Sequence, residues 1–249
     1  MSANVRATAF VERIHAIYDR DAPRQIHPHI GEAFRVPESG DLRILAVGIN
    51  SYVSPKDRGK ESPSWLAGWF VEQTHRYQRG VWRDLKALGD AITQPPYWFA
   101  SKRFRGMDSI FLTNAVKIYV DEAVGKQAAQ LSAADYERHL AQWHDELDAM
   151  ADHGALPDVI AIIGEPFWSF ACASLQKPGA FKEVRTTSFR SCSGTCRHFL
   201  NTVDIDTRHG EREVLLLRLR HPAGRSRTGS PRWLLGQAEF QSVASTAEP

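Results

Sequence analysis

The chain has 249 residues, 43% of them hydrophobic and 24% charged, with a formal net charge of +2 at pH 7. This composition predicts a soluble globular protein with a sizeable core, and so small a net charge does not by itself imply nucleic-acid binding. No apolar run approaches the roughly 20 residues that span a bilayer, and the first ten residues do not resemble a secretory signal. We therefore expect a cytoplasmic protein without a membrane partner.

Residues 1–40 predict an N-terminal helical and irregular extension. Residues 5–18 have the apolar spacing of an amphipathic helix, and residues 21–40 are rich in proline and glycine. Strand-like apolar runs begin only after this stretch. We therefore divide the chain into the extension and an α/β domain over residues 41–245.

Four apolar runs in that domain predict buried parallel strands, which are covered on both faces and lack polar alternation. The runs are Leu42 to Val47, Ser109 to Thr113, Val159 to Ile163 and Val214 to Leu219. Helical segments separate them, the clearest from Ser132 to Met150, and residues 206–210 predict a hairpin loop before the last run. The pattern predicts a three-layer α/β/α fold around a central, mostly parallel four-stranded sheet.

Two polar segments follow the first and last of these runs. Residues 48–52 read GINSY, and residues 221–226 read HPAGRS. Ligands and chemistry collect beyond the carboxyl ends of strands in α/β sheets. The two segments therefore predict one site built from both ends of the chain.

The last polar segment lies in an arginine-rich stretch. Residues 214–238 contain five arginines and no acidic residue. Guanidinium groups and exposed backbone N–H groups contact phosphates well, although an ordinary solvated loop has the same composition. Our DNA-binding candidates in this stretch are Arg220, Arg225, Ser226 and Arg227.

The strand-end segments, taken in chain order, resemble motifs of the uracil-DNA glycosylase superfamily. Residues 48–52 resemble its water-activating motif, and residues 112–117 (LTNAVK) resemble its base-reading strand. Residues 157–164 (PDVIAIIG) resemble its third strand and turn, and His221-Pro222 opens a segment like its DNA-intercalating loop. The resemblance implies a DNA-repair hydrolase that flips uracil or a modified pyrimidine out of DNA and cleaves its N-glycosidic bond without a cofactor.

The resemblance assigns the two catalytic roles to Asn50 and His221. Asn50 matches the residue that holds the attacking water, and asparagine orients water but accepts protons poorly, so we expect slower chemistry than with aspartate. His221 matches the residue that donates a hydrogen bond to the carbonyl oxygen of the leaving base. The alternatives are a loop asparagine that bonds its own backbone and a structural histidine.

Three further residues match base-binding positions of that superfamily. Asn114 offers a donor and an acceptor to a pyrimidine edge, and Tyr52 matches the aromatic that excludes a methyl group at C5. Phe70 is our choice for the stacking partner among Trp65, Trp69 and Phe70. A buried structural asparagine and core aromatics at helical spacing are the alternatives.

The chain departs from the superfamily pattern at several positions. Ser51 stands where a proline is usual, and Ala223 stands where a serine is usual. Arg225 stands where many relatives insert an apolar wedge. Three cysteines cannot supply the four ligands of the iron–sulfur branch, and Cys192, Cys196 and His198 lack an evident fourth zinc ligand, so we expect no metal.

These observations leave three functional interpretations open. The first is a monomeric DNA glycosylase acting on single- or double-stranded DNA. The second is a catalytically weak or inactive protein of the same fold that binds nucleic acid or a base. The third is an unrelated α/β enzyme whose arginines bind a small anionic substrate.

Overall fold

The computed structural model describes residues 2–20, 27–48, 51–53, 80–97, 99–115, 119–121, 133–221 and 227–245. The strands in these ranges are β1 His29–Ile30, β2 Ile44–Gly48, β3 Ser51–Val53, β4 Ile110–Asn114, β5 Tyr119–Asp121, β6 Val159–Ile163, β7 Arg185–Ser191, β8 Leu200–Thr207 and β9 Gly210–Leu219. The α-helices there are α1 Ala3–Asp19, α2 Glu32–Arg35, α3 Val81–Ile92, α4 Ala133–Asp152, α5 Trp168–Gln176, α6 Pro231–Leu235 and α7 Ala238–Ser245. None of the described helices is both long and apolar enough to cross a membrane.

The centre of the fold is a block of four adjacent parallel strands in the order β4-β2-β6-β9. These are the four strands that the apolar runs predict, and the α/β class is confirmed. Strands β2, β4 and β6 are buried almost throughout, as strands covered on both faces must be. Their parallel direction brings all four carboxyl ends to one edge of the sheet.

The sheet is larger than predicted, because it has seven strands in the order β1-β4-β2-β6-β9-β8-β7 and is mixed. Strand β1 pairs antiparallel with β4, and β8 pairs antiparallel with both β9 and β7. The prediction of a four-stranded sheet was wrong in this respect. The two edge strands carry no apolar run: β1 has two residues, and β7 reads RTTSFRS with an irregular exposure pattern.

Side chains of the central strands point alternately to two cores. Leu45, Ile160 and Leu216 belong to one core, together with residues of α1, α4 and α5. Ile44 and Ala161 belong to the other core, together with residues of α3, α6 and α7. Helical layers therefore cover the sheet on both faces, and helix α4 lies where the apolar spacing predicts it.

The predicted N-terminal extension packs on the domain through helices α1 and α4. The Arg20 guanidinium donates to the Asp145 carboxylate at 2.8 Å. Tyr18 is 1% exposed, and its hydroxyl lies 2.5 Å from the Thr113 hydroxyl of β4 and donates to the Glu146 carboxylate of α4. These contacts tie the end of β4 to both helices.

A buried cluster of charges lies at the amino edge of the sheet, around Asp158. Its carboxylate is 2% exposed and accepts from the Arg43 backbone N–H at 2.9 Å and from Lys102 Nζ at 2.6 Å. It also pairs with the Arg212 guanidinium. Burial lowers the pKa of Arg43 to about 10, so charges in this cluster are costly without their partner carboxylate.

Burial lowers the pKa of five described histidines, His15, His29, His144, His153 and His221. A histidine of the unfolded chain titrates near pH 6.5, so on acidification the unfolded state takes up protons before the folded state does. This contribution to stability is fully present above about pH 6.5 and is lost as the pH falls below it. We expect a lower urea midpoint at about pH 5.5 than at about pH 7.5. An unchanged or higher midpoint at the acid pH would contradict this expectation.

His144 provides a variant that checks the cause of this pH dependence. Its imidazole hydrogen-bonds to the Ser174 hydroxyl, and its ring lies 4.4 Å from the Phe181 ring. Burial is the largest cause of its lowered pKa, and Asp148 acts in the opposite direction. His144→Gln keeps a partner for Ser174 and does not titrate, so the variant should show a smaller decrease of the midpoint between the two pH values.

Candidate functional site

The ends of strands β2 and β4 form one side of the candidate site at the carboxyl edge of the sheet. Gly48 ends β2 and lies opposite Asn114, which ends β4. The Ala115 backbone N–H donates to the Gly48 carbonyl at 2.7 Å and closes the ladder at this point. The two strand ends are therefore fixed side by side.

The Asn114 side chain occupies the space that the missing side chain of Gly48 leaves open. A Cβ atom added to Gly48 would lie 2.5 Å from Oδ1 of Asn114, which is closer than real Cβ contacts come. Asn114 is 9% exposed, so its amide has little room to move aside. Glycine at the end of β2 thus permits the position of the Asn114 amide.

This contact predicts a selective effect of Gly48→Ala. The new methyl group should displace the Asn114 amide. Under the base-excision activity that the sequence resemblance implies, we expect it to slow excision about tenfold or more while the free energy of unfolding changes little, because a misplaced recognition group affects the transition state more than it affects the fold. The measurement is single-turnover excision together with the urea midpoint of the same protein. Ala46→Gly, two residues earlier on β2, is the control for the effect of exchanging alanine and glycine on this strand.

The outcome that counts against this role of Gly48 is equal activity of Gly48→Ala and wild type at saturating DNA. Reduced activity accompanied by a collapsed urea midpoint would also contradict it, since the proposed effect is local.

The other side of the site follows strands β6 and β9. The Gly164 N–H donates to the Leu219 carbonyl at 2.8 Å, and Gly164 turns the chain with a φ of +95°, which favours glycine. His221 lies two residues after Leu219 and is solvent-exposed. Protein packed around its imidazole nevertheless lowers its pKa, so the neutral ring predominates at pH 7 and has one N–H group that can donate.

Asn114 and His221 lie at opposite ends of this edge of the sheet. Strands β2 and β6 lie between β4 and β9, so the two strand ends are three strand spacings apart, or roughly 14 Å. The residues at the intervening strand ends are Gly48 and Gly164, which have no side chains to fill the space.

Strand β4 is held in place beneath this site by a buried hydrogen-bond network. Thr113, the residue before Asn114, donates to Glu146 at 3.3 Å and bonds to the Tyr18 hydroxyl. Burial, and after it the charge of Glu146, raises the pKa of Tyr18, so this hydroxyl keeps its proton. Tyr18 and Glu146 were not identified from the sequence, because nothing in their spacing signals contact with a strand that is distant along the chain.

The described part of the arginine-rich stretch adjoins His221. The Arg220 backbone N–H donates to the Gly229 carbonyl at 2.9 Å. Arg220 is partly buried, and Arg227 is exposed. The other two DNA-binding candidates, Arg225 and Ser226, lie outside the described residues.

Three more predicted site residues have positions that the structure describes only partly or not at all. Tyr52 lies in β3, whose backbone pairs with β5 in a separate two-stranded sheet that was not predicted from the sequence. Asn50 and Phe70 lie outside the described residues. Among the predicted catalytic and base-binding residues, Asn114 and His221 thus lie at the same edge of the sheet, three strand spacings apart.

The cysteine-rich segment after β7 has protonated thiols at neutral pH. Burial raises the pKa of Cys196 to about 11 and also raises that of Cys192. His198 instead accepts a hydrogen bond from the neighbouring Arg197 at 2.9 Å. Within the described ranges, no group of three or more histidine, cysteine, aspartate or glutamate side chains is placed to hold a metal ion.

A cluster of Phe199, Arg218 and Trp233 beside the loop was also not predicted from the sequence. Phe199 and Arg218 have the pattern of ordinary strand residues, and their contact depends on the pairing of β8 with β9.

Comparison of the chain with protein-family models, with curated proteins and with solved structures gave no match.

Proposed function

We propose that the protein is a DNA glycosylase-like hydrolase that releases uracil or a modified pyrimidine from DNA. The observation that supports this proposal is that the Asn114 amide and the neutral His221 imidazole lie at two ends of the same edge of the sheet. The strand ends between them carry glycines, Gly48 and Gly164. A pyrimidine needs a group that both donates and accepts at its edge and a donor at its carbonyl oxygen. Asn114 and His221 supply those groups.

The proposed reaction is attack of water on the sugar. A bond forms between the water oxygen and C1′ of the deoxyribose, the bond from C1′ to the base nitrogen breaks, and the base departs with the electron pair. The attacking water loses one proton to the solvent, and the departed base takes up one proton in return. His221 stabilises the negative charge on the carbonyl oxygen of the departing base. Asn50, two residues after Gly48, is proposed to orient the water, with Tyr52 and Phe70 beside the flipped base.

The proposal needs no cofactor, because hydrolysis at C1′ transfers no electrons. DNA is the proposed partner, held by the backbone and guanidinium groups of the stretch around Arg220 and Arg227. We further propose that the protein acts as a monomer in the cytoplasm, as expected from the sequence.

The experiment is an excision screen with purified protein. Uracil, hypoxanthine, xanthine and oxidised pyrimidines are placed at one position of otherwise identical single strands and duplexes, and abasic product is measured after alkaline cleavage. We expect release of at least one pyrimidine, and much less release by Asn114→Ala on the same substrate.

Absence of product from every substrate would overturn the hydrolase proposal. If the protein bound these DNAs without releasing a base, the binding-only function would replace it, which is consistent with asparagine rather than a carboxylate at position 50. If binding did not weaken as salt rises, the DNA partner itself would be wrong, because phosphate contacts make affinity strongly salt-dependent.

A further inference from the structure

Phe199, Arg218 and Trp233 form an aromatic and guanidinium cluster next to the candidate site. The Arg218 guanidinium carbon lies 4.3 Å from the centre of the Phe199 ring, and the Phe199 and Trp233 ring centres are 5.0 Å apart. Both rings are partly exposed. We call these three side chains the stacking platform.

The stacking platform is fixed by the backbone around it. The Arg218 N–H donates to the Phe199 carbonyl at 2.8 Å, which extends the pairing of β8 with β9 to the residue before β8. Gly229 packs so closely that an added Cβ would lie 2.7 Å from the Phe199 ring, and its φ of +76° also favours glycine. Because Gly229 is hydrogen-bonded to Arg220, the platform is attached to the residue just before His221.

Three exposed arginines lie close to the platform along the chain. Arg197 is two residues from Phe199, Arg232 precedes Trp233, and Arg227 is two residues before Gly229. All three arginines are exposed, and none pairs with a carboxylate among the residues that the structure describes. The Arg218 guanidinium has a carboxylate partner in Glu165, at 3.3 Å, but that side chain is 83% exposed and neutralises it only in part.

We propose that the stacking platform binds an unpaired base of single-stranded DNA next to the nucleotide in the candidate site, which makes single-stranded DNA the preferred substrate. This inference rests on the proposed function. Aromatic rings and guanidinium planes stack on any base face, whereas the base faces of a duplex are already covered by their neighbours. The exposed arginines that neighbour the platform along the chain are proposed to contact the phosphates of the bound strand.

Binding to undamaged DNA tests the platform separately from catalysis. The probes are a fluorescently labelled single strand without a modified base and a duplex of the same sequence, and affinity is measured by anisotropy. Trp233→Leu should weaken single-strand binding about tenfold and change duplex binding much less. Trp82→Leu is the matched control, because Trp82 is also partly exposed but lies on helix α3 against His29.

Two exposed arginines provide a test that does not depend on packing. Arg197→Gln with Arg232→Gln should lower the slope of log affinity against log salt by about 0.7 for each phosphate of a single strand that the protein no longer neutralises. Arg6→Gln on helix α1 is the control, since Arg6 is exposed on another element. Wild-type urea midpoints in the arginine variants would show that the fold is intact.

The outcomes separate this inference from the proposed function. Stronger wild-type binding to the single strand than to the duplex, weakened by Trp233→Leu but not by Trp82→Leu, supports the platform even if no base is ever released. Equal or stronger duplex binding, or equal effects of Trp233→Leu and Trp82→Leu, overturns the platform even if excision is observed. An unchanged salt slope in the arginine pair also overturns it.

Discussion

Replacing His221 with alanine is expected to slow base excision by about 10²- to 10³-fold, the usual cost of removing one preorganised donor to a developing oxyanion. The imidazole follows strand β9 at the carboxyl edge, and burial lowers its pKa, so it is neutral at pH 7. Because its partner in the proposed mechanism is the departing base, the effect should appear in kcat more than in DNA affinity. Single-turnover excision and anisotropy on the same substrate measure the two quantities.

His209→Ala is the matched control for this variant. His209 lies in the turn between β8 and β9, at the opposite edge of the sheet, where it contacts the Asp152 carbonyl. We expect nearly normal excision from it. If His221→Ala excised as fast as His209→Ala, His221 would have no catalytic role in this protein.

Replacing Asp158 with alanine is expected to lower the free energy of unfolding by about 3–5 kcal/mol. The carboxylate is buried and accepts from the Arg43 backbone, Lys102 and Arg212. Its removal would leave Lys102 and Arg212 without the carboxylate that they share, beside Arg43, which is itself 3% exposed. Urea denaturation at neutral pH measures the change directly.

Asp90→Ala is the control, because it removes a carboxylate that is exposed to solvent. Asp90 pairs with Lys86 one helical turn away at 2.5 Å, and its side chain is 55% exposed. Exposed pairs of this type contribute about 0.3–0.5 kcal/mol, so the variant should be close to wild type. A comparable destabilisation in both variants would contradict the view that burial makes Asp158 important.

The four central strands could be predicted from the sequence because burial on both faces leaves a continuous apolar signature. Strand β7 could not, since half of its residues face solvent and its register is set by β8. The short β1 was missed for a related reason: its two residues are a strand only because β4 offers them an edge. Local pattern identifies strands that make the core, and tertiary pairing decides the rest.

Part of the candidate site could be predicted in the same way. Asn114 and His221 were found because they follow apolar runs, and parallel strands bring such ends to one edge. The stacking platform could not be predicted, because the contact of Phe199 with Arg218 depends on the register of the β8–β9 hairpin, and Trp233 reaches Phe199 from helix α6. The Gly48 contact with Asn114 was also not predictable without the strand register.

The most direct test of the proposed hydrolase compares wild type, Asn50→Ala and Asn50→Asp on one uracil-containing single strand and one U·G duplex. Abasic product is measured against the bound fraction. We predict that Asn50→Ala binds DNA within a few-fold of wild type but releases no base, because position 50 is proposed to contact the water rather than the phosphates. Asn50→Asp should keep or raise activity, since a carboxylate can accept a proton from the water and stabilise the cationic sugar. If wild type and Asn50→Asp both bind but release no base from these DNAs or from the wider substrate panel, the protein is not a glycosylase.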